Sequence, residues 1–268
     1  MSKYVIFIPG YLTTQGCSHP GDTYRDVARG FQRRGFEFLY LPLPNSNDGD
    51  RGNSTLEDHL EHVIQRYNQL CEEYRIGSED FLVLAGHSMG GLLTAKLLTS
   101  TYLDQLLRPP NCVRLLNPVF RTRLSFPRRL LSTLCSFLPD FVLRTLAVPL
   151  PIATREILFP GSLAQSPVAK PLLGGSVLRA TNGLLCNNRP WGLRPEDTMR
   201  NVTRVVTCRG DRLASFEASE AYAEQFEIEL VALPLNDHES FGETVLAALI
   251  PETSAFPAYT TTARIPCR

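Results

Sequence analysis

Short, largely apolar runs alternate along this chain with longer stretches in which apolar positions recur every three or four residues. The runs are Tyr4–Ile8, Phe36–Leu43, Phe81–Ala85, Cys112–Pro118, Arg204–Cys208 and Phe226–Leu233. They predict buried strands, because a parallel strand covered on both faces shows no polar alternation. Helical spacing predicts a helix over Thr23–Arg34, with Asp22 as cap, Gly35 as stop, and Tyr24, Val27, Ala28 and Phe31 on one face. A Ser54-Thr55-Leu56-Glu57 capping box opens a longer helix whose apolar face is Leu56, Leu60, Val63, Ile64, Tyr67, Leu70 and Tyr74. Further helices are expected over Leu92–Thr101, Phe216–Gln225 and Glu239–Ile250, the last stopped by Pro251. Strands alternating with helices predict an α/β chain with a doubly wound, mostly parallel sheet.

The third run leads straight into Gly86-His87-Ser88-Met89-Gly90-Gly91. Glycines two before and two after Ser88 leave room for a sharp strand-to-helix reversal, which presents the hydroxyl at a helix N-terminus where developing negative charge is favoured. Gly-His-Ser-Met-Gly-Gly resembles the nucleophile elbow of the α/β-hydrolase family. The resemblance implies that fold, and an acid and a histidine later in the chain, in that order. The fifth strand ends in Arg209-Gly210-Asp211, and the sixth is followed by Asn236-Asp237-His238. Asp211 and His238 thus each follow their own strand, at the edge where groups gather in open α/β sheets. A serine hydroxyl is a weak nucleophile at neutral pH, so His238 would take its proton during attack and Asp211 would orient the imidazole. Asp237 is the rival acid, although adjacent side chains converge poorly; Asp140, Glu156 and Asp197 fit less well. For the oxyanion, the resemblance points to the backbone N–H groups of Met89 and Tyr11. Pro9 stands where many family members carry a histidine that braces the loop.

Between the fourth and fifth strands lies a Pro-, Leu- and Arg-rich insertion, residues 119–195, expected to be a largely helical cap. The core would then comprise residues 1–118 and 196–250, with a tail over 251–268. The zero net charge of the chain excludes a generally basic nucleic-acid binder but hides an asymmetry. The insertion holds ten basic and two acidic side chains, a net +8, so the rest of the chain carries −8. Such a cap suits contact with an anionic membrane surface or an anionic acyl carrier, or simply pairs with the acidic body.

The remaining features are bland. Seven scattered cysteines show no Cys-x-x-Cys spacing, and Cys112 and Cys208 read as small buried hydrophobes in a reducing, cytoplasmic setting. His59 and His62 are three apart on a helix without a third ligand, so both are expected to face solvent rather than hold a metal. No signal-peptide pattern precedes Tyr4, and no apolar stretch approaches the roughly 20 residues of a membrane span. The expected activity is cofactor-free cleavage of small or lipid-like carboxylic esters, as in an esterase or lipase. A thioesterase or acyltransferase would use the same triad, and a non-catalytic scaffold that binds lipid or a partner through its cap would use none of it.

Overall fold

The computed structural model describes residues 1–10, 24–43, 56–120, 193–211, 214–235 and 241–251. In chain order they form β1 (Lys3–Ile8), α1 (Arg25–Arg33), β2 (Glu37–Tyr40), α2 (Leu56–Glu73), β3 (Phe81–His87), α3 (Met89–Leu97) and α4 (Ser100–Leu103). There follow β4 (Cys112–Leu116), α5 (Asp197–Arg200), β5 (Thr203–Cys208), α6 (Phe216–Phe226), β6 (Glu229–Leu233) and α7 (Glu243–Leu249). The sheet order is β2-β1-β3-β4-β5-β6, and every neighbouring pair is parallel. All six strands therefore end at one edge. The chain first steps outward from β1 to β2, then crosses back to β3 on the other side of β1. That reversal opens a crevice beyond the carboxyl ends of β1 and β3, the usual place for a ligand in such sheets.

Both faces of the sheet are covered. Tyr4, Ile6 and Ile8 of β1 and Leu82 and Leu84 of β3 pack on one side with Leu60, Val63 and Tyr67 of α2, Leu93 of α3 and Phe226 of α6. Val5 and Phe7, and Val83 and Ala85, pack on the other with Val27 and Phe31 of α1 and Val245, Leu246 and Leu249 of α7. The period of two in a strand sends successive side chains to opposite helical layers, which is why these strands read as unbroken apolar runs. Cys112 and Cys208 are fully buried and not in disulfides, as expected of small hydrophobes. Burial pushes the Cys112 thiol up to about 11, so it stays protonated at neutral pH.

Several boundaries differ from expectation. The first helix starts at Arg25, with Tyr24 in the cap position and no side-chain cap bond. The helix after the elbow starts at Met89, directly behind Ser88, rather than at Leu92, and pauses before Ser100. Phe226 belongs to α6, whose C-terminal cap Glu227 takes a left-handed φ of 56°, and β6 begins only at Glu229. His59 is fully buried, contrary to the solvent-facing position expected for it. It lies one turn before Val63, on the apolar stripe of α2. His62 is half-buried, and its Nε2 lies 3.0 Å from the Pro42 carbonyl oxygen. The Asp22 cap, the Ser54-Thr55 capping residues, most of the expected cap (121–192) and the tail beyond Pro251 lie outside the described residues. Among the described residues, no helix is long and apolar enough to cross a membrane.

Candidate active site

β3 delivers the chain to Ser88, which adopts φ 56° and ψ −119° and serves as the cap residue of α3. Such a conformation costs a non-glycine residue on the order of 1–3 kcal/mol and persists only where the surroundings impose it. Here they do. The Ser88 N–H donates to the Leu116 carbonyl at the end of β4 (3.0 Å), and its own carbonyl accepts from Leu92 and Val119 (both 3.2 Å). The residue is 7% exposed, at the carboxyl end of β3.

The flanking glycines are required by close approach. A Cβ on Gly90 would lie 2.3 Å from the Ile8 carbonyl oxygen and 2.4 Å from that of Pro9. One on Gly86 would lie 2.3 Å from Thr94 Oγ1 and 2.4 Å from the Gly90 carbonyl oxygen. The start of α3 thus presses directly against the end of β1. Gly10, two residues beyond β1, is just as close to the elbow: a Cβ there would lie 3.1 Å from Ser88 Cβ. Met89 opens α3 directly after Ser88, so its N–H belongs to the first turn, where backbone donors have no acceptor within the helix.

Asp211 occupies the turn after β5 and is fully buried. Its Oδ1 accepts from the Ala214 N–H at 3.0 Å. Pairing with the neighbouring strand continues into this turn, because Arg209 N–H donates to Leu233 O and Gly210 N–H to Leu235 O, both at 2.9 Å. Leu235 is three residues before His238. Beyond the intervening segment, Phe241 packs edge-on against the His87 ring, centroids 5.2 Å apart, and against Tyr24 at 5.2 Å. Leu235 and Phe241, the described residues on either side of 236–240, therefore contact the acid turn and the residue beside Ser88, respectively. Ser88, Met89 and Asp211 lie at the same sheet edge, Ser88 and Asp211 with β4 between their strands. His238, Tyr11 and the rival acid Asp237 lie outside the described residues, as do Asp140 and Glu156, whereas Asp197 opens α5 and is exposed.

Three residues of this edge escaped the sequence reading. His87 was only the variable position of a motif, and Tyr24 only an apolar-face residue of a helix. The third, Asn117, was taken as the end of a strand. It is fully buried with φ 41°, and its Oδ1 accepts from the Cys208 N–H at 2.9 Å while its N–H donates to Val206 O at 2.8 Å. Asn117 thereby locks the end of β4, which holds Ser88, to the end of β5, which leads to Asp211. A polar residue directly after an apolar run was the signal the sequence offered. Asn117→Ala is expected to lower unfolding free energy by about 2–4 kcal/mol, from an unpaired buried N–H and a left-handed backbone that alanine disfavours. Asn117→Gly keeps the backbone freedom and loses only the bond, so denaturant titration of the two separates the contributions.

Comparison with known proteins agrees with this fold. The model of the Alpha/beta hydrolase family matches residues 5–248. No curated protein matches the chain significantly in sequence. Among solved structures, the chain is similar to a metagenome-derived lipolytic enzyme of the LipS and LipT study (16% identity, TM-score 0.55, covering 89% of this chain and 86% of that one). It is similar as well to a soluble variant of monoglyceride lipase from Saccharomyces cerevisiae (15%, TM-score 0.56, covering 92% and 83%). The enol-lactonase from Burkholderia xenovorans LB400 is a third (17%, TM-score 0.52, covering 87% and 84%). At these identities the structures speak for the fold. The family match spans both ends of the parallel sheet and the elbow between them, and the chain belongs to the alpha/beta hydrolase family.

Proposed function

We propose that this alpha/beta hydrolase is a serine hydrolase that cleaves carboxylic esters, with Ser88 as nucleophile, His238 as general base and acid, and Asp211 as the group that orients His238. The observation that carries this reading is the backbone of Ser88, held at φ 56° on the crevice edge by hydrogen bonds from three sides. Strained backbone of this kind clusters at active sites, which favours catalysis over a scaffold that only binds. The burial of Asp211 and the contacts of Leu235 and Phe241, which flank residues 236–240, support the roles of the partners.

The reaction follows from those roles. Neutral His238 accepts the Ser88 proton as Oγ attacks the ester carbonyl, and the oxyanion is stabilised by the N–H groups of Met89 and Tyr11. The tetrahedral intermediate collapses, His238 protonates the departing alkoxide, and an acyl-Ser88 ester remains. Water, deprotonated by His238, then attacks that ester and releases the acid and free serine. The lipolytic and monoglyceride lipase neighbours make acyl esters of lipid-like chain length the first substrates to test. The +8 charge of residues 119–195 is read as a cap that draws an anionic interface or acyl carrier toward Ser88.

The test is covalent labelling. A fluorophosphonate is expected to modify the folded protein at a single site, with peptide mapping to Ser88, and Ser88→Ala is expected to abolish modification without loss of fold. Folded wild-type protein that stays unlabelled would overturn the reading.

A further inference from the structure

The turn after β1 contains Pro9, which carries no N–H by which its backbone could be tied down. Something else holds it. The Gly10 N–H donates to the Tyr24 hydroxyl at 2.8 Å, and that hydroxyl shares a second hydrogen bond, 2.9 Å, with Nδ1 of His87, the residue before Ser88. Tyr24 is 1% exposed, in a nest of rings: Phe7 at 4.8 Å, Phe241 at 5.2 Å and His87 at 5.6 Å. It stands in the cap position of α1 yet makes no cap bond. The rings around it would be served equally by phenylalanine, and burying a hydroxyl is unfavourable unless its hydrogen bonds are made. Among the described residues, that hydroxyl bonds to the β1 turn and to the elbow.

We infer that Tyr24 is a positioning residue for the oxyanion site: through its hydroxyl it ties the Gly10 amide to His87, holding the β1 turn in register with Ser88. This rests on the serine-hydrolase reading above. Two consequences follow from the geometry. The Gly10 N–H is already engaged by the Tyr24 hydroxyl, so it is not the donor offered to an oxyanion. The turn is also referenced to the nucleophile, because the side chain that holds Gly10 is itself bonded to His87, the neighbour of Ser88.

The test uses Tyr24→Phe, which keeps the ring contacts and removes only the oxygen. In protein labelled with 15N-glycine, amide exchange at Gly10 is expected to accelerate at least tenfold. Modification of Ser88 by a fluorophosphonate, and kcat for p-nitrophenyl butyrate, are expected to fall roughly ten- to hundredfold, with KM changed less than about threefold. A merely structural role would not produce that split. His87→Phe, which retains a ring against Phe241 and removes Nδ1, is expected to slow labelling in the same direction, so the inference stays testable should either variant fold poorly. A labelled, active wild type whose Tyr24→Phe variant reacts within twofold overturns this inference and leaves the nucleophile reading intact. A folded wild type that is never labelled overturns both.

Discussion

Ser88→Ala and His238→Ala are each expected to lower kcat for an ester by roughly 10⁶-fold, and Asp211→Asn by roughly 10⁴-fold. The double variant Ser88→Ala/His238→Ala should be no slower than either single one, since nucleophile and base act as a unit. The order has a physical basis. Without Oγ there is no covalent route, and without the imidazole the hydroxyl keeps its proton. With asparagine at 211 the chain packs as before but no carboxylate stabilises the imidazolium, and the ring is left in the wrong tautomer. Asp211 is the informative position because it is fully buried and its Oδ1 already accepts from the Ala214 N–H, a bond asparagine can keep. Its loss should therefore appear in kcat and hardly in thermal stability. Steady-state rates on p-nitrophenyl esters beside melting curves provide the check. A His238→Ala enzyme that retained a tenth of the wild-type rate would remove His238 from the mechanism.

Gly90→Ala is expected to be damaging at a position where helix propensity alone predicts gain. In an exposed helix interior the change would stabilise by about 1 kcal/mol. Here the added carbon meets two backbone carbonyl oxygens, those of Ile8 and Pro9, at 2.3 and 2.4 Å, and neither can swing away as a side chain would. Overpacking of this kind costs about 3 kcal/mol or more, so the clash wins and Tm should drop by about 4–10 °C. Relief requires moving α3 away from the end of β1, which separates Ser88 from Gly10, so kcat should fall more steeply than stability. Gly77→Ala is the control. Its Cβ would have Asp80 Oδ2 at 3.8 Å as its nearest neighbour, an ordinary contact, and Tm should shift by less than about 2 °C. Calorimetry on both variants decides it; equal Tm values would show that α3 and β1 are less tightly apposed than their carbonyl contacts imply.

Much of the architecture was legible in the order of residues. The six apolar runs predicted six strands, and all six exist. A parallel strand covered on both faces needs no register information to be recognised. Boundaries were less legible, because they are set by contacts outside the run. Phe226 is apolar and adjoins a strand, but it faces Tyr222 across one turn of α6, 5.1 Å between ring centroids. His59 looked like half of a solvent-facing pair, yet helical geometry puts it on the stripe that ends in the core.

The same division runs through the site. Ser88 was legible in the sequence itself, because glycines two before and two after it give a strand–helix junction the room for so sharp a turn, and local spacing suffices to specify that. The family match and the parallel sheet now rest on observation as well, and the strained φ of Ser88 shows the junction to be as sharp as the glycines implied. What tertiary structure alone decided is how the elbow is held. Tyr24 is 64 residues before Ser88 and Asn117 is 29 after it, and neither sits in a motif. Their roles come from hydrogen bonds to backbone groups of Gly10 and Cys208, whose proximity exists only once β1, β3, β4 and β5 lie side by side. Sequence can announce a residue whose chemistry depends on its immediate neighbours. It is silent about a residue whose partner is a main-chain amide brought near by folding, because every residue but proline offers the same amide.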